Sequence, residues 1–382
     1  MAWLSGWDQR IKATVDSAVV DADLTQFPVT LIGGTSVGKT SADISAIFDE
    51  VGSNWEKIAV TQTDGETELY VEKELWDSVG EKFVLHCSKP GWVLDGDADS
   101  DLYIYYDNDH ADNTTYVGAI NSTPGAAVWD GDYVGVWHCA QASGNLIDST
   151  SNGRDSTTAG GDPAQATGYI GKGQVMDGND YFSWGDLAAA ELQTFTVEKW
   201  LKLTNYTASL EGGFAKGYVF GNIDEYSWDF GRCHEGYFSW RACHSTDIIF
   251  AISTTIGDAN WHYWAGAHTN GDQVLWKDGA SASTASASGT IDYTKNNNDL
   301  AIGARSSGVY GYDPGTIDEV RFSSIRRSNA WLKACYYSQS DALLTWGSEE
   351  RVWAAIAGVT YANVARVAGV AKADIATIAG VA

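Results

Sequence analysis

Residues 168–185 read GYIGKGQVMDGNDYFSWG, two short runs of strand character on either side of Asp177-Gly178, a dipeptide that favours a hairpin turn. Working outward, the same texture continues in VGVWHCAQ (134–141), FTVEKWLKL (195–203), NWHYWAG (260–266), QVLWKDGA (273–280) and GTIDEVRFSSIRRSNAWLKACYYSQ (315–339). Strand-like runs separated by Gly, Asn and Asp turns fill the region from 128 to 347. Trp129, Trp137, Trp184, Trp200, Trp261, Trp264 and Trp276 fall inside these runs, where packing into a core is the expected role of an indole. The biased stretches Ser149–Thr167 and Ser281–Ser288 are closely flanked by strands and read as exposed loops, not linkers.

Composition agrees with an all-β chain. Of 382 residues, 12% are aromatic and only 19% charged, with 41 glycines. Lys and Arg number 24 against 50 Asp and Glu, a net charge of −26. So acidic a surface repels phosphate backbones and anionic lipid heads, which excludes nucleic acid and membrane as expected partners, but it offers oxygen ligands to divalent cations. Five cysteines, an odd and scattered set, suit buried free thiols in a protein folded in a reducing cell better than a disulfide framework. The segment MAWLSGWDQR lacks the basic-then-apolar order of a secretory leader, and the apolar stretch Val352–Ala365 is too short to span a bilayer. A soluble protein that reaches the outside by a route such as lysis is the expectation.

The first 120 residues contain their own strands: Ile11–Val15, Phe27–Ile32, Lys57–Thr61, Glu68–Val71, Lys82–Leu85 and Leu102–Tyr106. One stretch, Ser41–Glu50, has helical spacing through Ile44, Ile47 and Phe48. Just before it, Gly33-Gly34-Thr35-Ser36-Val37-Gly38-Lys39-Thr40 matches the phosphate-binding loop pattern in full. A phosphate loop needs a parallel sheet alternating with helices, and the chain offers one helical patch, so the match reads as a Gly/Ser turn before a short helix. Asp95, Asp97, Asp99 and Asp101 alternate like the start of an EF-hand loop, but Ser100 and Tyr106 stand where Gly and Glu are required, which leaves a solvated acidic turn. Cys233-His234 and Cys243-His244 lack zinc-ligand spacing and suggest two thiols facing each other across a hairpin that turns near Glu235–Tyr237. In IDEYSWD (223–229), Asp224, Glu225 and Asp229 come closest to the paired carboxylates of a glycoside hydrolase without completing the pattern.

The C-terminal tail repeats. Ile356-Ala-Gly-Val359, Val367-Ala-Gly-Val370 and Ile378-Ala-Gly-Val381 recur every eleven residues, with Val364 and Ile375 matched at the same interval. On a helix this period makes one apolar stripe, while the regular glycine makes a strand-and-turn coil a competitor. Either form leaves an apolar face that two and a half units cannot bury alone, so Ile356, Val359, Val364, Val367, Val370, Ile375, Ile378 and Val381 are candidate oligomerisation or docking residues.

From residue 132 onward the ordered motifs quoted above, with IDSTSNGRDST (147–157), resemble the laminin-G-like, concanavalin-like jelly-roll superfamily. GWDQRIKATVD, LTQFPVTL, DGETELYVEKELWD and LYIYYDND resemble a β-domain that precedes such jelly rolls in bacterial, archaeal and phage surface proteins. The tail is similar to C-terminal repeats of phage structural proteins. The implied architecture is an N-terminal β-sandwich-like domain (1–130), a concanavalin-like jelly-roll sandwich (131–348) and a repeat tail (349–382). The resemblance implies non-enzymatic binding to a glycan or host surface receptor. It also implies calcium ligands at Asp177, Asn179, Asp180 and Asp318, although Asp177-Gly178 read as a plain hairpin turn and Asp318 as a cap are equally compatible with the residues. Tyr310 and Tyr312, in the Gly-rich loop Ser306–Gly315, are candidate sugar-stacking residues. The combined expectation is a homo-oligomeric virion protein (fibre, spike or capsid-surface decoration) that meets other virion proteins through its tail. A prokaryotic cell-surface adhesion module and a glycoside hydrolase on the same fold are the rivals.

Overall fold

The structure is a computed structural model. It describes residues 2–205, 213–217, 227–234, 236–243, 249–286, 289–294, 299–304 and 315–352, and four two-residue strands between 355 and 371. The chain is an all-β protein with a concanavalin-like sandwich in its second half.

Two four-stranded sheets make the first half. One runs Leu344–Arg351, Gln9–Val15, Ser100–Tyr106, Ile58–Thr61, all antiparallel. The other runs Val29–Gly33, Lys82–Ser88, Tyr70–Asp77, Val117–Ala119, with the last pair parallel. Alternating apolar residues from both sheets, among them Ile11, Val15, Leu31, Val60 and Leu85, meet in one buried core. The strand Leu344–Arg351 straddles the boundary expected after residue 348. It returns from the far end of the jelly roll to pair with Gln9–Val15, so the first domain is completed by residues that follow the second.

The jelly roll is two larger sheets. One carries Ala164–Thr167, Lys172–Met176, Gly315–Ser323, Phe195–Leu203, His262–Thr269, Asp272–Lys277 and Ala280–Ala285 in that order, with Tyr133–Trp137 also on Gly315–Ser323. The other carries Thr158–Gly160, Tyr181–Gly185, Leu300–Ile302, Phe214–Lys216, Trp228–His234, Tyr237–Cys243 and Ile249–Thr255. Between them lies a core rich in aromatics, including Trp137, Trp184, Trp228, Trp240 and Trp264. Six of the seven tryptophans expected to pack are buried, and Trp261 is partly so.

The first sheet of the jelly roll also turns its outer face onto the N-terminal domain. Trp200, Tyr263 and Trp276 from that face join the N-terminal core, together with the helix Asn329–Gln339. The closing segment therefore holds a second helix where one helical patch was expected. Ser328 caps it, its hydroxyl accepting from the Trp331 N–H at 3.1 Å, and Ala330, Trp331, Leu332, Ala334 and Cys335 bury one side. Within Ser41–Glu50 the regular helix is shorter and later than the spacing suggests, Ala46–Val51, while Ile44, Ile47 and Phe48 are all buried.

In the tail, Ala355–Ile356 pairs with Val359–Thr360 and Arg366–Val367 with Val370–Ala371, the same small hairpin eleven residues apart. The backbone follows the strand-and-turn alternative there, in line with the helix cost of a glycine in every repeat. Val364, Ile375, Ile378 and Val381 lie outside the described residues. Among the described residues, no helix is long and apolar enough to cross a membrane.

Candidate functional site

Contrary to the expected hairpin, Lys172–Met176 and Tyr181–Gly185 lie in opposite sheets of the sandwich, so the turn at Asp177-Gly178 carries the chain across from one sheet to the other, with Gly178 at φ +108°, a conformation that favours glycine. Asp180 is 2% exposed and ties two loops together, accepting from the Asp177 N–H and the Asp162 N–H, both at 2.8 Å. One carboxylate oxygen each from Asp162, Asp177 and Asp180 lie within 4.8 Å of one another at the sandwich rim. Asp162 and Asp177 are exposed, and the Asn179 amide lies against Asp177 and Asp180. The donor set, three carboxylates and an amide on a glycine turn, fits a hard cation such as calcium. Asp162 was not anticipated, because it sits in the low-complexity stretch 149–167, expected to be an exposed loop but found to hold the strands Thr158–Gly160 and Ala164–Thr167.

Asp318 stands apart from this group. It is fully buried, and its Oδ2 accepts from the Tyr169 N–H at 2.8 Å and the Ile170 N–H at 3.0 Å, the cap-like role. Burial, with Glu319 next to it, pushes its carboxyl well above the usual range. Tyr310 and Tyr312 lie outside the described residues.

Other motifs resolve as local structure. In the phosphate-loop match, the Gly38 N–H donates to Asp341 Oδ2 and the Lys39 N–H to the Leu344 carbonyl, both at 2.8 Å, while Lys39 is ion-paired with Asp16. Two amides and the lysine are thus committed to the protein itself. In the acidic ladder, Asp95 accepts from its own turn, Asp99 from Ser17 and Asp101 from Thr14 and Lys12, so the carboxylates diverge. The antiparallel register of Trp228–His234 with Tyr237–Cys243 pairs Cys233 with Phe238, and Cys243 N–H reaches the Ser227 carbonyl. Positions 233 and 243 are therefore not opposite each other in the pairing, contrary to expectation. Cys87, Cys139, Cys243 and Cys335 are buried free thiols. Asp229 is 1% exposed and ion-paired with Arg241. Asp224 and Glu225 lie outside the described residues.

A second constellation escaped the sequence reading altogether. Where the jelly-roll sheet faces the N-terminal domain, Glu72, Glu74, His86, His138, Glu319 and Arg321 are all buried. Glu72 and His86 are opposite each other in neighbouring strands, and Glu74, two residues on from Glu72 at a register shift between Lys73 and Leu75, shares their face. On the jelly-roll side a bulge, with Glu319 at φ +50°, turns Asp318, Glu319 and Arg321 away from a core that takes Ile317, Val320 and Phe322. A non-glycine residue in that left-handed region is strained and held by its surroundings. Burial raises the Glu74 carboxyl to about 8, with Glu319 adding to the effect. Burial alone would lower His138 and raise Glu319, but their mutual attraction wins, holding His138 well above and Glu319 well below their ordinary values. Burial and the neighbouring His138 keep His86 low.

Residues 176–333 match the family model of the concanavalin A-like lectin/glucanases superfamily. A search of proteins of curated function gives no match. Among solved structures, the binding domain of Paraclostridial mosquitocidal protein 1 is similar at 14% identity, covering 54% of this chain and 52% of that one, with a TM-score of 0.43. Domain 4 of AbnA, an extracellular GH43 arabinanase from Geobacillus stearothermophilus solved with arabinotriose, is 17% identical over 53% of this chain and 97% of its own, with a TM-score of 0.41. The ligand-binding domain of botulinum neurotoxin serotype D, solved with N-acetylneuraminic acid, is 11% identical over 55% and 51%, with a TM-score of 0.42. The chain spans about half the length of the toxin domains it matches.

Proposed function

We infer that this is a non-enzymatic binding protein whose jelly roll takes a glycan or receptor, carried on a virion as a fibre, spike or capsid-surface component. The observation that carries the binding reading is the match of residues 176–333 to a superfamily of lectins and glucanases, a segment that begins at the turn bearing Asp177 and Asp180. Calcium held by Asp162, Asp177 and Asp180, with Asn179 beside them, would supply a rigid cationic anchor for sugar hydroxyls, and the aspartates would hold it in place. Binding is favoured over hydrolysis because Asp229 is committed to Arg241 and buried, not poised over a cleft as an acid or base. The virion reading draws on the acidic surface, the free thiols and the repeat tail, which would meet other copies of the chain or other virion proteins.

The test is cosedimentation of the full chain with purified bacterial surface polysaccharides in calcium-containing buffer. Pelleting with a subset of polysaccharides, reversed by the soluble saccharide, is expected. Equal pelleting with all of them or none would contradict a glycan-binding role, and release of shortened sugar would revive the hydrolase.

A further inference from the structure

Four of the buried groups at the seam between the halves present their ligating atoms to one point. His86 Nε2 lies 3.0 Å from Glu74 Oε2, and His138 Nδ1 lies 3.7 Å from the same oxygen and in direct contact with Glu319 Oε1. All four atoms fall within 4.8 Å of one another. Ligands about 2.0–2.1 Å from a tetrahedral ion stand roughly 3.3 Å apart; the two separations to Glu74 bracket that distance, while His138 and Glu319, which now touch, would have to part to admit the ion.

The groups behind these four are arranged as supports. His86 Nδ1 faces Thr30 Oγ1 at 3.2 Å, and His138 Nε2 faces Glu72 Oε2 at 3.2 Å, which leaves the opposite nitrogen of each ring for a metal. Trp129 Nε1 donates to Glu72 Oε2 at 2.6 Å, and Arg321 Nη2 to Glu319 Oε2 at 2.5 Å. Even so, Glu72 Oε1 and Glu74 Oε1 are buried without a hydrogen-bond partner. With Glu72, Glu74 and Glu319 all ionised against Arg321, the buried site would carry two negative charges that one dication cancels with both imidazoles neutral; without an ion, protons on Glu74 and His138 have to play that part. Glu319 is placed by a bulge with a left-handed backbone, a costly way to assemble an ion pair alone.

We propose that Glu74, His86, His138 and Glu319 form a structural site for a zinc-class divalent cation that clamps the N-terminal domain to the jelly roll. Two ligands come from each half, and none belongs to the acidic rim at Asp177. Two imidazoles with two carboxylates suit zinc or its neighbours better than calcium or magnesium. A cavity of about 280 Å³, lined in part by Glu74, Ile120, His138 and Gln141, reaches the site and gives the ion a way in.

The test uses the full chain, stripped with a chelator, reloaded with zinc, desalted and analysed for metal. About one zinc per chain is expected, with a higher unfolding temperature than the stripped protein. Cobalt in place of zinc should give the intense visible bands of a tetrahedral site, whereas an all-oxygen site at the rim would stay pale. Glu72→Gln, which leaves the four ligands in place, should weaken zinc binding about 10–100-fold. His138→Gln should abolish it, while Asp177→Asn should not change it. No retained zinc with pale cobalt, or zinc that survives His138→Gln and is lost in Asp177→Asn, would overturn the site. If His138→Gln does not fold, the cobalt spectrum of the unsubstituted chain decides.

Discussion

Single residues in this chain are most informative where a charge is buried. Asp341 is an example outside the seam: it holds the Gly38 N–H at 2.8 Å, adopts φ +56°, and burial pushes its carboxyl up to about 6 against that hydrogen bond. A carboxyl raised on folding binds its proton more tightly in the native state, so it costs stability as the pH rises through about 6. Asp341→Asn keeps an acceptor and suits the left-handed backbone. Its unfolding temperature should exceed that of the unsubstituted chain at pH 7.5 and converge with it only below pH about 4, by thermal denaturation across pH. An equal shift at all pH values would show that the charge is not responsible. The seam cluster was in principle visible in the same way. Glu72 and Glu74 interrupt the apolar YVEKELWD, His86 sits in FVLHCS and Glu319 in GTIDEVRFS, and charges inside buried strands demand partners. Which partners they find depends on the bulge at Glu319 and on the approach of residues up to 245 positions apart, Glu74 and Glu319, and no local pattern carries that.

At the scale of elements, strands were legible because alternation and turn residues are local signals. The strands from Gln9 to Tyr106 lie where the sequence places them, most ends moved by one to three residues and that of Tyr70–Asp77 by six, whereas the turn at Asp177-Gly178 joins the two sheets of the sandwich and not a hairpin. The helix Asn329–Gln339 was missed because its residues, NAWLKACYYSQ, resemble the other aromatic runs and are buried on most sides, which blurs the helical stripe. Its start is marked by Ser328, whose hydroxyl meets the Trp331 N–H. Ser328→Ala should cost about 1 kcal/mol of stability by chemical denaturation, and Ser328→Asp should restore most of it. A loss that aspartate does not repair would point to packing instead of capping. The phosphate-loop match shows the reverse error that local patterns invite. Its Gly33 is needed because a Cβ would come within 2.2 Å of the buried Phe83 ring, and its amides are bound within the fold.

Over the whole molecule, the two halves were read as consecutive domains, yet the chain returns to its starting sheet. Leu344–Arg351 beside Gln9–Val15 means that a truncation testing the tail must retain the full strand. By light scattering, the full chain should be a trimer or larger assembly and a chain ending at Val352 a monomer. Two monomers would show that the tail does not assemble copies of this chain. The jelly-roll half of the site was legible through its turn and its aspartates, while Asp162 entered only through folding, which brings the loop before Ala164–Thr167 against that turn.

The most direct test of the central claim, that the jelly roll takes sugar at its acidic rim, is a glycan array probed in calcium with the full chain and with the Asp162→Asn/Asp177→Asn double variant. Both substitutions are at exposed positions and spare Asp180, which holds the loops together. A restricted set of glycans bound by the unsubstituted chain, and lost or weakened at least about tenfold in the variant, is the predicted result. The same glycans bound equally by both would place the sugar elsewhere, and no glycan bound by either would contradict the account.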